Sequence, residues 1–399
     1  MRRKLLQKLT ATILAAYIYL SSSTCAYRWL PSKAIEFMID EFQKYEAERG
    51  HIPYNIHNDR RNSTPFITGD GFRQMASPYI CDETNRCRFE TKKVTPGSCI
   101  FVKVDFMPFF GEYGVDQITV PYILITHNGD LSAPDGQNDA GIGLPVYNTT
   151  TKLLSEYNAG RLIAHHGQNL WWIHPKTSSR PTFSHCIPIG LENRYNFFGG
   201  KLHLYVDALK KNLDLSRKED EKNSISESPR KVCDDDRPLL LVAFHPKRQV
   251  PDRKKALEEL GIQFGRHVQY PENPFFNHTQ LQHHQWLEAI THHRFVMAPF
   301  GHGLDTHRMM EIFLMGGIPV VKKSTITSCY DDSDNQVNEE KPRGSLPLVV
   351  VDSWRNLNKT FLESEWVRIK SVDPQTWDWK RLLMSHWEER IGCKNNFFV

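Results

Sequence analysis

The chain has 399 residues, 40% of them hydrophobic and 24% charged, with 50 Lys and Arg against 46 Asp and Glu. That length exceeds one ordinary core and predicts two domains, and the composition excludes a disordered or fibrous chain. The formal charge of +4 is spread along the chain, which excludes the clustered basic footprint of a nucleic-acid binder.

At the N-terminus, Arg2, Arg3, Lys4 and Lys8 precede an apolar run from Leu9 to Leu20. Residues 1–26 therefore read as a signal anchor or a cleaved signal peptide. The run is shorter than the ~20 residues of a full span, and Thr24 and Ala26 make a small-residue cleavage site, whereas Tyr17 and Tyr19 suit the interfacial end of an anchor. An anchor predicts a single-pass type II protein of the Golgi or endoplasmic reticulum membrane, and cleavage predicts secretion. Asn62, Asn148, Asn277 and Asn358 open N-x-Ser/Thr sequons, candidate glycan acceptors in that pathway, the first weakened by Pro65. The eight cysteines include no CxxC pair, and Cys81, Cys87 and Cys99 crowd one segment, the pattern of local disulfides rather than zinc ligands. With Cys25 in the targeting segment, seven remain, so one is expected to be free or intermolecular.

Residues 27–95 read as a stem and a cysteine-bearing segment. Ile35, Met38, Ile39 and Phe42 fall on one helical face, and Gly50 is a stop. From residue 96 to 209, apolar runs ("CIFVKVDF", "ITVPYILITHNGD", "LIAHHGQNLWWIHP", "HCIPIGLENR") alternate with helix-length segments, predicting a parallel α/β domain. Residues 210–237 are highly charged and read as a linker or solvated loop. A second alternating set fills 238–352, with "PLLLVAF", "RFVMAP", "IPVVKK" and "LPLVVVDSW" as strands, and 353–399 carry Trp354, Trp366, Trp377, Trp379 and Trp387 in a helical tail across the body. The expected architecture is two Rossmann-like, doubly wound domains facing a cleft.

The densest chemistry lies in "HRFVMAPFGHGLDTHRMMEIFLMGGIPVVKK", His293 to Lys323. It reads as strand, glycine turn, helix and strand. Gly301 and Gly303 permit close backbone approach to a ligand, and Asp305 or Thr306 caps the helix. Arg308 and Glu311, three apart, share a helix face behind that turn. An arginine there suits a diphosphate, and a carboxylate one turn on suits both ribose hydroxyls. A plain helix-stabilising ion pair is the competing use. His302 and His307 have structural or substrate-contact roles. The acidic runs Asp234–Asp236 and Asp331, Asp332 and Asp334 read as solvated turns, so no obligatory metal is expected.

This stretch resembles the nucleotide-sugar half of exostosin-like glycosyltransferases, whose pattern is an x-F-x-L-x-P strand, a G-x-G-x-D relative, x-R-x-x-E-A and G-x-I-P-V. The resemblance extends more weakly over Tyr122 to Trp354, and it departs at Ile312 in place of alanine and at Met315-Gly316-Gly317. It implies a GT-B fold with the sugar nucleotide held mainly by the C-terminal domain, Arg308 on diphosphate, Glu311 on ribose, and Asp305 and the glycines shaping the loop. Lys247 and Arg248 would neutralise the leaving diphosphate, with a solvated basic loop shared with Arg253, Lys254 and Lys255 as the alternative. The expected activity moves a sugar from a nucleotide-diphosphate donor, the co-substrate, to a glycan or glycoprotein acceptor. The alternatives are fucosyl or xylosyl transfer on the same scaffold, or a glycan-binding pseudoenzyme.

An inverting transfer needs a base on the acceptor side. Asp130 in the loop after "YILIT" is the first choice, then His127, with Glu192 also at a strand end. His165, His166, Trp171 and Trp172 have acceptor contact or core packing as their two readings.

Overall fold

The computed structural model describes residues 28–49, 60–136, 149–171, 181–196, 201–224, 237–244, 250–264, 283–331 and 345–394. The N-terminal apolar run, Trp172, Lys247, Arg248, the sequons at Asn148 and Asn277, Asp234–Asp236, Asp332 and Asp334 lie outside them. Among the described residues no helix is long and apolar enough to cross a membrane.

Two parallel sheets form the frame. The first holds β1 (Ile80–Cys81), β2 (Ser98–Lys103), β3 (Tyr122–His127), β4 (Leu162–Gly167) and β5 (Ser184–Cys186), and the second β6 (Leu240–Leu241), β7 (Phe295–Met297), β8 (Ile318–Lys322) and β9 (Val349–Val351). The chain is thus α/β with parallel sheets, as its strand–loop–helix alternation predicts. In each sheet the described strands lie in chain order. The reversal that defines a doubly wound sheet is not among them, because every crossover steps to the neighbouring position.

Continuous apolar runs make these strands buried on both faces. On β2, Cys99 and Phe101 face the main core, whereas Ile100 and Val102 face a smaller one. On β3, Ile123 and Ile125 alternate with Tyr122 and Leu124 in the same way, the period-two signature of a strand.

Helix α1 (Ser32–Arg49) has the expected apolar stripe, yet it is no detached stem. Ala34, Ile35, Met38 and Ile39 join the main core, and the Trp29 indole before it donates to the Gly317 carbonyl at 3.0 Å. α2 (Gly69–Met75) covers the first sheet with Phe72 and Met75, and α3 (Thr149–Asn158) closes the smaller core with Leu153. α4 (Leu202–Ser224) runs through the first half of the segment whose charge suggests a linker. Leu202, Tyr205, Val206, Leu209 and Leu213 give it a buried stripe at helical spacing, which outweighs the charges on its other side.

The second half adds α5 (Pro251–Phe264), α6 (His283–Thr291), α7 (His307–Leu314) and α8 (Ser328–Asp331). The tail forms α9 (Lys359–Lys370) and α10 (Met384–Ile391), then returns to the first sheet: Met384 N donates to Pro65 O at 2.9 Å and Lys394 N to Gly97 O at 3.1 Å. Disulfides join Cys81 to Cys87, Cys99 to Cys393 and Cys186 to Cys329. The first is local as expected. Cys99 instead bonds across the whole chain, because the tail lies against β2. The six described cysteines are all paired, while Cys25 and Cys233, where the expected odd cysteine would fall, lie outside the described residues.

Candidate functional site

The carboxyl ends of the two sheets meet at the glycine turn, the place where parallel α/β sheets put their ligands. β7 ends at Met297, and Gly301 N closes the turn on Gly303 O at 3.0 Å. A Cβ on Gly303 would stand 2.3 Å from Asn169 Nδ2 and 3.0 Å from the Asp130 carbonyl, so only glycine fits against the loops that follow β3 and β4. Asn169 completes the junction by accepting from Asp305 N at 2.7 Å.

Asp305 is buried and binds both halves together. Its Oδ2 accepts from Ile189 N at 2.8 Å and from the Tyr330 hydroxyl at 2.7 Å, and its Oδ1 accepts from Thr306 N at 2.8 Å. Burial raises its pKa, and these three donors oppose the rise. The residue at the N-cap position of α7 is Thr306, whose side chain makes no capping bond. Asp305 therefore clamps the 187–190 loop to the glycine turn. His307 does the same, its Nδ1 bonding the Gly190 carbonyl at 2.9 Å, a structural use.

Behind the turn sit two arginines. Arg308, on α7, donates to the carbonyl of Ala243, two residues beyond β6, and its guanidinium lies 4.5 Å from the centre of the Trp286 ring. Arg253, on α5, donates from Nε to the Phe300 carbonyl at 3.1 Å, and its Nη2 lies 3.6 Å from where a Cβ on Gly301 would stand. Both are half-buried, and among the described residues neither forms an ion pair. Arg308 drops to about 10, through burial first and the adjacent Arg253 second, and burial lowers Arg253 as well. Arg253 thus disfavours the charge on Arg308, Glu311 favours it, and Asp252 favours that on Arg253.

Glu311 does not pair with Arg308 as a plain helix-stabilising couple. Its Oε1 accepts from Tyr205 on α4 at 2.8 Å and from His283 Nε2 on α6 at 2.9 Å, and its Oε2 accepts from Trp286 Nε1 at 2.7 Å. Burial pushes its pKa up, yet the bonds from His283, Trp286 and Tyr205 prevail and hold it below the usual carboxylate range. A carboxylate offers about four lone-pair positions. With three filled, about one position is left.

Of the two candidate bases, His127 is the enclosed one. It is buried, its Nε2 bonds the Pro188 carbonyl at 3.1 Å and its Nδ1 accepts from Asn128 N at 2.8 Å, so both nitrogens are engaged. Burial lowers it to about 4. Asp130 stands exposed at the rim beside Gly303. His165 and His166 are buried, His165 bonding the Thr126 hydroxyl at 2.8 Å, and Trp171 packs against the main core, so all three serve the interior.

Arg253, Tyr205, His283 and Trp286 were not expected at the site. Arg253 reads in sequence as one of three basic neighbours, but Lys254 and Lys255 point outward, with side chains 71% and 57% exposed. Trp286 lies in "QWLEAITHHRF", where its helical position facing α7 is a usable signal; Tyr205 has none, being 106 residues from Glu311. Asp70 was also missed. This buried carboxyl accepts from Asn128 Nδ2 at 3.3 Å and Arg60 Nη1 at 3.4 Å, and burial raises it to about 6. Among the described residues no cluster of three or more His, Cys, Asp or Glu could hold a metal. Comparison with protein-family models and with curated proteins gave no match for this chain.

Proposed function

We propose that the protein is a glycosyltransferase of GT-B type, resembling the exostosin-like family, which takes a nucleotide-diphosphate sugar and glycosylates a glycan or glycoprotein acceptor in the secretory pathway. The observation that carries this reading is the pair Arg253 and Arg308. Both sit behind a glycine turn where two parallel sheets meet, and neither is ion-paired among the described residues. A diphosphate supplies the two negative charges that relieve their repulsion, and Glu311 accepts one hydroxyl of the ribose. Arginine contacts that strengthen as charge builds on the departing diphosphate also favour the transfer step itself. The sugar would then face the loops after β3, where Asp130 is the carboxylate available to deprotonate an acceptor hydroxyl.

The test is titration of the full chain with UDP, GDP and their sugars, followed by donor hydrolysis. Arg253→Ala and Arg308→Ala should each weaken diphosphate binding roughly 10- to 100-fold, the worth of a charge-assisted contact. Absence of binding by any nucleoside diphosphate overturns the reading, as does binding that neither substitution alters. A glycan-binding protein without turnover is the second reading, favoured by the locked, neutral state of His127. It predicts glycan binding that persists in Arg308→Ala, with no donor hydrolysis in the parent.

A further inference from the structure

We infer that Asn358 carries an N-linked glycan and that Asn62, which opens the other described sequon, does not. The inference rests on the secretory part of the reading above. Disulfides at separations of 294 and 143 residues support it, since such bonds persist in the oxidising compartment where oligosaccharide is transferred to asparagine.

Asn358 precedes α9 with extended backbone, φ −141° and ψ 172°, and it is the N-cap: its Oδ1 accepts from Phe361 N at 2.9 Å. Glycosylation replaces one hydrogen on Nδ2 and leaves Oδ1 untouched. The cap therefore survives modification, and Nδ2 itself makes only a long bond, 3.5 Å, to the Asn356 carbonyl. Around it Arg355, Asn356, Lys359 and Thr360 are all exposed, while Leu362, Trp366 and Ile369 face inward from α9. A glycan here meets solvent and displaces no packed group.

Asn62 has the opposite surroundings. Ser63 within its sequon is wholly buried and pairs with Phe66, and Thr64 donates to Asn62 Oδ1 at 3.2 Å. The Asn62 carbonyl accepts from the nearly buried Arg194 at 2.9 Å, and Pro65 follows the sequon directly. The same carbonyl also accepts from Tyr45 of α1 at 3.5 Å, and Arg194 pairs with Glu46, so a branched saccharide at Asn62 would have to fit beside packed groups.

The experiment expresses the full chain in cultured animal cells, once with its own N-terminus and once behind an added signal peptide. Glycopeptides are mapped after enzymatic deglycosylation in heavy-oxygen water. The expected result is a mass tag at Asn358, lost in Thr360→Ala, which preserves the cap, and no tag at Asn62. An untagged Asn358 in the chain with the added signal overturns the inference, as does a tag at Asn62. A tag only with the added signal overturns the secretory reading and leaves the acceptor assignment standing.

Discussion

Arg308 and Glu311 show what one residue can and cannot reveal. Their i, i+3 spacing places both on one helix face, and the structure does bring them to the site. Yet Glu311 spends its charge on Tyr205, His283 and Trp286, and Arg308 turns to a ring and a carbonyl. None of these partners is near in sequence, so how the two side chains are held was not legible. Neither Arg308 nor Arg253 forms an ion pair among the described residues, so the proposed diphosphate contact sets binding against stability. Replacing Arg308 by Met keeps an unbranched stem over Trp286 and removes a charge that burial and Arg253 both disfavour, while giving up the bond to the Ala243 carbonyl and the attraction of Glu311. Arg308→Met should melt close to the parent temperature while losing nucleoside diphosphate binding. A variant that melts several degrees lower would mean that Arg308 is structural. Trp286→Phe separates the two duties of the indole. The ring stays under Arg308, but Glu311 loses its 2.7 Å donor, and stability should fall by about 1–3 kcal/mol in urea unfolding.

At the level of elements, type was more legible than destination. The apolar stripe of α1 and the runs of β2, β3, β7 and β8 read correctly because their periods are local. Whether α1 projects as a stem depends on Trp29 meeting Gly317 and Phe313, 288 residues away in the first case. Trp29→Ala removes that packing and leaves a buried carbonyl unpaired, so it should cost about 3–5 kcal/mol, measured by urea unfolding; no change would return α1 to the status of a stem. The buried histidines, most of them on β3 and β4, make a second element-scale prediction. Burial holds His127 and His293 at about 4, and His165 and His166 at about 3. In the unfolded chain each takes a proton near 6.5. Between those values the unfolded state binds more protons, so stability falls as pH drops, by roughly 1.4 kcal/mol per pH unit for each histidine fully in that window. Asp70, raised to about 6, works in the opposite sense, as do Asp252, Asp305 and Glu388, which burial also raises. The histidines dominate where the carboxyls are ionised in both states, so melting temperature should fall from pH 7 to about pH 6; a flat profile there would place these rings in water.

For the molecule as a whole, what matters is how the halves are held, and sequence could not supply that. Cysteine spacing suggested local bridges, whereas Cys186–Cys329 ties β5 to α8, and Tyr330, the next residue, donates to Asp305. The bridge and the Asp305 clamp thus secure the same junction, from the 186–190 loop to the glycine turn. Asp305→Asn retains the volume but swaps an accepting oxygen for a donor, so the backbone N–H of Ile189 or of Thr306 is left unpaired, at about 1–3 kcal/mol. Losing the bridge through Cys186→Ser with Cys329→Ser releases a constraint over 143 residues, worth roughly 2–5 kcal/mol. Two links that act on one junction do not add. Once the bridge is gone the loop can relax around the substituted amide, so the triple variant should be more stable than the summed costs imply, by about 0.5–3 kcal/mol. Urea unfolding of the four proteins in the cycle measures this coupling directly. Strict additivity would mean that the clamp and the bridge hold separate contacts, and that the glycine turn keeps its place beside Arg253 and Arg308 without help from the first sheet.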